Sequence, residues 1–359
     1  MIRLLTARFF LTLFCGTIGA TEFTSRLLAA PGNPGKYAIT DIELVDDDFH
    51  VQGEYAGNTR IGYVGLQVVA QGDGKFVAVL YRGGLPGNGP TAKERSELQG
   101  SRDAGQTFLE CDSYRVEMRP RLAVLSSAAG ESLGRLTRVV RQSATIGARP
   151  PRDADVLFDG SGDLQHFETA KLNDEGLLDV GALLKNPVRD FHMHLEFRTP
   201  YMPYARGQSR GNSGIYIQRR YEVQVLDSFG LKGAANECGG LYRQKSPDIN
   251  MCFPPLAWQT YDIYFVAARF DDEGKKILDG VITVLHNGVA VHERYALKNK
   301  TGAGRPEGPA ALPIQFQNHG NPVAFRNIWL VNYDAASRTG GLTKPTKIRR
   351  RSIFRRRRT

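Results

Sequence analysis

The sequence predicts an all-β protein: a sandwich or jelly roll preceded by a smaller β-rich unit. Three observations predict it. Phe191, Met193, Leu195 and Phe197 alternate with His192, His194, Glu196 and Arg198, a period of two with one apolar face. Asp73-Gly74 and Asn287-Gly288 each sit between β-prone runs, the strongest short hairpin signal. Helical periods are scarce, and about ten short strands without intervening helices point to a sandwich or jelly roll.

The elements follow in order. Residues 1–20 carry Arg3 and Arg8, then an apolar run ending Ile18-Gly19-Ala20. This is the pattern of a secretory signal cleaved near Ala20, and it predicts export to the periplasm or the extracellular space. The run is too short to span a bilayer, and no other apolar run reaches the ~18 residues required. Residues 21–150 read as the small β-rich unit. Ile61–Ala70 and Phe76–Tyr81 form a predicted hairpin, and Tyr114–Met118 and Leu122–Leu125 are further strands. Gly147-Ala148-Arg149-Pro150-Pro151 reads as a linker, because consecutive prolines stop regular structure. Residues 151–333 form the larger unit. Residues 334–359 are a basic tail that reads as disordered and suits contact with anionic surfaces.

Composition bounds the function. The chain has 359 residues, 41% hydrophobic and 23% charged, an ordinary globular mix. Its net charge of +10 is concentrated at the ends. The tail holds ten Lys/Arg against Asp334, and the leader holds two arginines, so residues 21–333 carry about −1. A near-neutral body implies no basic patch, so no nucleic-acid partner is expected. Cys15 lies in the leader, leaving Cys111, Cys238 and Cys252. For an exported protein Cys238–Cys252 is the expected disulfide, with Cys111 a quiet free thiol.

Four constellations carry chemistry. In Tyr221-Glu222-Val223-Gln224-Val225-Leu226-Asp227 the valines face the core, and Glu222 and Gln224 share the open face. A bulge or strand end could bring Asp227 alongside. Carboxylates on the open face of a curved sheet are how sandwich glycosidases place acid and base, although polar residues on a strand often only meet solvent. His192, His194, Glu196 and Arg198 share a face, but neighbours on it are roughly 6.5–7 Å apart, wide for two ligands of one ion. A polar face is therefore preferred to a metal site. In Gln315-Phe316-Gln317-Asn318-His319-Gly320, His319 is a loop histidine available for proton transfer. The loop Arg206 to Gly214 offers Arg210, Asn212 and Ser213 to a hydroxyl-rich ligand. It lacks the Lys-Ser/Thr ending of a phosphate-binding loop, and the chain has no Gly-x-Ser-x-Gly elbow or His-Glu-x-x-His.

Taken in order, Leu157-Phe158-Asp159-Gly160, Phe197-Arg198-Thr199-Pro200, Arg210-Gly211-Asn212-Ser213-Gly214-Ile215-Tyr216, Tyr221 to Asp227, Trp258-Gln259-Thr260-Tyr261, His286-Asn287-Gly288 and Phe325-Arg326-Asn327-Ile328 resemble the 3-keto-disaccharide hydrolase domain. The resemblance covers about residues 155–331. It implies a concanavalin A-like jelly roll that cleaves glycosides already oxidised to a ketone at C3. The preceding unit resembles a region found before this domain in some planctomycete-type exported proteins. Two departures stand out. Many members read Gln-Asp-His-Gly where this chain has Asn318. Members also often carry Trp after the Leu-Phe-Asp-Gly segment, where this chain offers only His166 and Phe167.

The implied chemistry assigns roles. Glu222 and His319 are expected to serve as base and acid, in either order, and Asp227 orients His319 or helps to hold a metal. Arg198, Arg210, Asn212, Gln224, Tyr242 and Gln317 are the expected substrate contacts. A divalent metal is an open option that no strong ligand motif supports, and no other cofactor is expected. Three rival readings stay open: a non-catalytic carbohydrate-binding module, an exported structural protein, and an ordinary retaining glycosidase using Glu222 and Asp227 at roughly 5–5.5 Å.

Overall fold

The computed structural model describes residues 33–88 and 94–333. The leader at 1–20 and the basic tail at 334–359 lie outside the described residues.

Eight strands form a closed antiparallel barrel: β1 (Gly53–Thr59), β2 (Gly62–Gly72), β3 (Lys75–Arg82), β4 (Arg95–Asp103), β5 (Gln106–Glu110), β6 (Tyr114–Arg119), β7 (Leu122–Ser127) and β8 (Ser132–Val139). A short helix, α1 (Asp47–Val51), precedes them. The barrel closes because β1 pairs with both β2 and β8. Val64, Leu66, Val68 and Ala70 meet Phe76, Ala78 and Leu80 inside, all buried. Eight strands leave an interior that side chains just fill. The predicted hairpin turns at Asp73-Gly74, where both residues adopt positive φ (54° and 69°). Sequence reading found four of the eight strands; closure is a long-range pairing that local pattern does not encode.

The second body is a sandwich. One sheet runs in the order β10 (Phe167–Thr169), β11 (Leu183–Leu184), β20 (Gln315–Phe316), β13 (Ser213–Ile217), β14 (Tyr221–Val225). The other runs β19 (Val289–Leu297), β18 (Gly280–His286), β15 (Gln259–Val266), β12 (Phe191–Arg198), β21 (Ala324–Asn332), β9 (Asp155–Phe158). A small hairpin joins β16 (Arg269–Phe270) to β17 (Lys276–Leu278). The predicted alternation holds. Phe191, Met193, Leu195 and Phe197 of β12 and Tyr261, Ile263 and Phe265 of β15 share a core with Ile215, Val223, Val225 and Phe316 of the facing sheet. Asn287 (φ 54°) and Gly288 (φ 79°) form the predicted two-residue turn between β18 and β19, a geometry that needs positive φ at both positions.

The barrel packs directly on the sandwich. Ile39 and Tyr201 exchange backbone hydrogen bonds of 2.9 and 2.8 Å. The Tyr201 hydroxyl donates to Asp46 at 2.9 Å, and Arg95 donates to the Gly230 carbonyl at 2.9 Å. The segment read as a linker is not a free tether. Gly147 N–H donates to Glu196 at 2.6 Å, and the Ala148 carbonyl accepts from Asn327 and Trp329. Pro150 and Pro151 lie between β8 and β9, and the chain here stays docked on the outer face of the six-stranded sheet.

Cys238 and Cys252 are free thiols, not the expected disulfide. The two thiols are neighbours that stay unbonded, and each has further partners: Cys238 Sγ lies 3.2 Å from the Tyr261 hydroxyl, and Cys252 Sγ points at the carbonyls of Leu226 and Phe253. Cys111 is a half-buried free thiol, as expected.

Candidate active site

The outer face of the five-stranded sheet gathers most of the expected residues. On β14, Val223 and Val225 point into the core, so Glu222 and Gln224 point outward. On β13, Ile215 and Ile217 point inward, so Gly214 and Tyr216 share the outer face. The register sets Tyr216 opposite Glu222 and Gly214 opposite Gln224. Beyond β20, Gln317 N–H donates to the Gly214 carbonyl at 2.8 Å, which brings Gln317 to the other flank of Gly214. Asn212 stands two residues before Gly214, and Gln224 Nε2 donates to its Oδ1 at 2.8 Å. Residues 239–242 run as an added edge along β14. Gln224 N–H donates to the Gly240 carbonyl, and Tyr242 N–H donates to the Glu222 carbonyl at 3.1 Å. Glu222, Gln224, Asn212, Gln317 and Tyr242 thus form one cluster.

Glu222 is the titratable centre of this cluster. It is 3% exposed, and Thr301 Oγ1 accepts its backbone N–H at 2.9 Å. Burial pushes its carboxyl up to about 7, and the neighbouring Tyr216 hydroxyl only partly opposes the shift. No cation is among the groups that set this value. Such a carboxyl holds and releases a proton near neutrality, the property of a general acid or base. The Oε1 atoms of Gln224 and Gln317 are buried without a hydrogen-bond partner. They are acceptors for which the described residues supply no donor.

His319 lies at the tip of a pinned loop. Asn212 N–H donates to Asn321 Oδ1 at 2.7 Å, and the Ser213 hydroxyl donates to the Gln317 carbonyl at 2.7 Å. Between these two pins His319 is exposed. Asn318 Oδ1 accepts Gly320 N–H at 2.9 Å, a local turn bond that an Asp could also accept. At this bond the departure from the family pattern is neutral.

Three expected residues do not join the cluster. Asp227 was to swing alongside Glu222 or orient His319, but its side chain is fully buried against Arg210, with Arg210 Nε donating to Oδ2 at 2.6 Å. Its other oxygen accepts Phe229 N–H. Five residues of extended chain, roughly 16 Å, separate it from Glu222. Arg210 is engaged in the same pair, its Nη1 reaches the Ala70 carbonyl of the barrel, and its Nη2 is buried without a partner among the described residues. These two residues fasten barrel to sandwich. Arg198 ends β12 in the opposite sheet, on the face away from the core. It pairs with Glu175 and lies over the Trp258 ring at 5.1 Å. The sandwich core stands between that face and Glu222.

The face His192, His194, Glu196, Arg198 exists as predicted, and it is structural. His194 Nδ1 meets Asp262 at 2.8 Å, and Glu196 accepts from Arg326 at 2.7 Å and from Asn327 at 3.0 Å. Burial raises the Asp262 carboxyl, but hydrogen bonds from His192, His194 and Thr145 and the His194 charge prevail and hold it at about 2. Among the described residues no three His, Cys, Asp or Glu side chains come together as a metal ligand set.

Sequence reasoning passed over Gly214, Tyr216 and Thr301 as site residues. A glycine inside a strand is a signal of close approach and could have marked Gly214. Thr301 arrives on a loop 79 residues from Glu222 and leaves no local trace.

Residues 153–331 match the family model described as the 3-keto-alpha-glucoside-1,2-lyase-like domain. Among solved structures, a Parabacteroides distasonis ATCC 8503 protein provisionally described as a glycosyl hydrolase is 35% identical, covering 51% of this chain and 84% of its own, with a TM-score of 0.46. A second protein of the same organism and description is 21% identical, covering 49% of this chain and 98% of its own, with a TM-score of 0.36. None of the curated proteins compared with the chain matches it.

Proposed function

Through residues 153–331 this chain belongs to the 3-keto-alpha-glucoside-1,2-lyase-like family, and from that premise we propose that it is an enzyme that cleaves glycosides already oxidised to a ketone at C3. A C3 ketone acidifies the hydrogen on C2. Glu222 takes that proton as general base, and the C2–H electron pair passes into an enolate. The enolate then expels the C1 substituent, breaking the glycosidic C–O bond, and the leaving oxygen takes a proton. Water then adds across the new double bond to give the free 3-keto sugar.

The observation that carries this reading is the Glu222 carboxyl, buried and pushed up to about 7 in a ring of amides. A base for carbon acids works best when its pKa is near the working pH. The unpartnered Oε1 atoms of Gln224 and Gln317 suit sugar hydroxyl donors, and Asn212 fixes the Gln224 amide. Tyr242 borders the cluster, and His319, exposed on the loop that follows Gln317, is the proposed proton donor to the leaving group. An ordinary retaining glycosidase would need a second carboxylate beside Glu222, and Asp227 is committed to Arg210. The leader-like segment 1–20 supports export as part of the proposal, and the basic tail would meet anionic surfaces outside the cell.

The test is incubation of the full chain with a 3-keto glucoside and with its unoxidised parent, following aglycone release. Release from the keto form alone, abolished in Glu222→Gln, supports the proposal. Binding without release, in the presence or absence of divalent metal, would overturn it in favour of a carbohydrate-binding module. Release from the unoxidised parent would overturn it in favour of a conventional glycosidase.

A further inference from the structure

We propose that β13 is built as a seat for the Glu222 carboxyl, with Gly214 and Tyr216 as its positioning residues. The inference rests on the reading of Glu222 as the base and deepens it. Glu222 stands opposite Tyr216, but its head reaches diagonally to the next outward position of β13, which is Gly214. A Cβ placed on Gly214 would lie 2.4 Å from Glu222 Oε1 and 3.1 Å from both Cδ and Cγ. Real Cβ contacts do not reach 2.4 Å, so the carboxyl occupies the space that any other residue would fill.

Strand interiors disfavour glycine, because it costs entropy and packs no side chain. Gly214 has no positive φ that would require it; what the glycine does is leave room for the carboxyl, which a Cβ would push out of its buried position. The same placement sets the carboxyl between the two flanks of Gly214, with Gln224 on β14 and Gln317 beyond β20. The seat buries the carboxyl in the middle of the sheet face and leaves Tyr216 as the hydroxyl beside it. The two residues therefore act on Glu222 in opposite senses. Gly214 permits burial, which favours the protonated form. The Tyr216 hydroxyl favours the ionised form.

The test uses the full chain with 13C-labelled glutamate side chains. The Glu222 signal is the one absent from Glu222→Gln, and its titration is followed by NMR without substrate. In Gly214→Ala the methyl evicts the carboxyl toward solvent, and the midpoint should fall by at least one pH unit from near 7. In Tyr216→Phe the midpoint should rise. In Gly302→Ala, where a Cβ meets open space beside Thr301, it should not move. On a 3-keto glucoside, Gly214→Ala should lower kcat on the order of 100-fold with KM changed less than threefold, as misplacement of a base by about 1 Å does. Opposite midpoint shifts in the two variants support the seat. Unchanged midpoints, or shifts of the same sign, overturn it. If Glu222→Gln keeps full activity while the midpoints still move apart, the seat stands and the catalytic reading falls. If Glu222→Gln is inactive while the midpoints do not move, the catalytic reading stands and the seat falls.

Discussion

Arg210 Nε donates to Asp227 Oδ2 at 2.6 Å in a pair that is almost wholly shielded from water. The loop residue Arg210 also reaches the barrel through the Ala70 carbonyl. Removing one partner would strand the other charge in a buried site, which costs about 3–5 kcal/mol. Asp227→Ala should therefore lower stability by that order in urea unfolding, and the double variant Arg210→Met/Asp227→Ala should recover part of it. An Asp227→Ala protein as stable as the parent but catalytically dead would return Asp227 to the catalytic set.

Arg198 should be dispensable for chemistry. It sits on the other sheet, engaged with Glu175 and Trp258. Arg198→Met is expected to keep kcat on a 3-keto glucoside within about threefold, since an arginine on the sheet opposite Glu222 does not reach the reacting atoms. A loss of 100-fold in kcat at unchanged stability would place Arg198 at the reacting centre.

Glu222→Gln should trade activity for stability. Loss of the general base should lower kcat by about 10²–10⁴-fold. The folded carboxyl is raised to about 7 while an unfolded one titrates at its ordinary value. Between those values the unfolded chain ionises and the folded chain does not, so this group's effect on stability worsens as pH rises through that window and levels off above about 7. At pH 8 the amide should accordingly add up to about 3 kcal/mol, and at pH 4 almost nothing. Equal unfolding midpoints for the two proteins at both pH values would contradict this.

Two buried histidines should make the fold acid-sensitive. Burial, with the charge of Arg141, holds His286 down to about 3. Burial, with the charge of Lys245, holds His292 down to about 4 against the Gly239 carbonyl bond. Both stay neutral in the fold while the unfolded chain protonates them below about 6.5. Stability is therefore lost as pH falls, by about 2 kcal/mol for each at pH 5. In the Glu222→Gln background, which removes the opposing proton release from that carboxyl, urea unfolding near pH 5 should show uptake approaching two protons. His292→Asn should halve that slope, and an unchanged slope would exclude His292 as its source.

Much of the sandwich was legible because alternation is a local signal. Phe191 to Phe197 and Tyr221 to Val225 state their own inward and outward faces. The turn at Asn287-Gly288 was legible because so few residue pairs accept two positive φ values in succession. Glu222 and Gln224 were legible as neighbours on one face because strand parity puts them there, whereas Asn212 was read only as a residue of the Gly-rich loop. Arg198 was misplaced because parity tells which face of a strand a residue occupies, not which sheet the strand joins. Asp227 was misplaced because its partner Arg210 is 17 residues away and the barrel backbone completes its burial. The cysteine pair was read correctly as neighbours, since each thiol lies within reach of the other, but the two remain free thiols.

The sequence by itself determined the class of fold, the faces of its strands and the outward carboxyl at 222, because side-chain period and turn chemistry are properties of consecutive residues. Only the tertiary structure decided that the first eight strands close into a barrel, that Arg210 and Asp227 neutralise each other beneath it, and that Glu222 lies over Gly214. Those outcomes depend on pairings across dozens of residues. Burial, which moves the Glu222 proton toward neutral pH, exists only once those pairings are made.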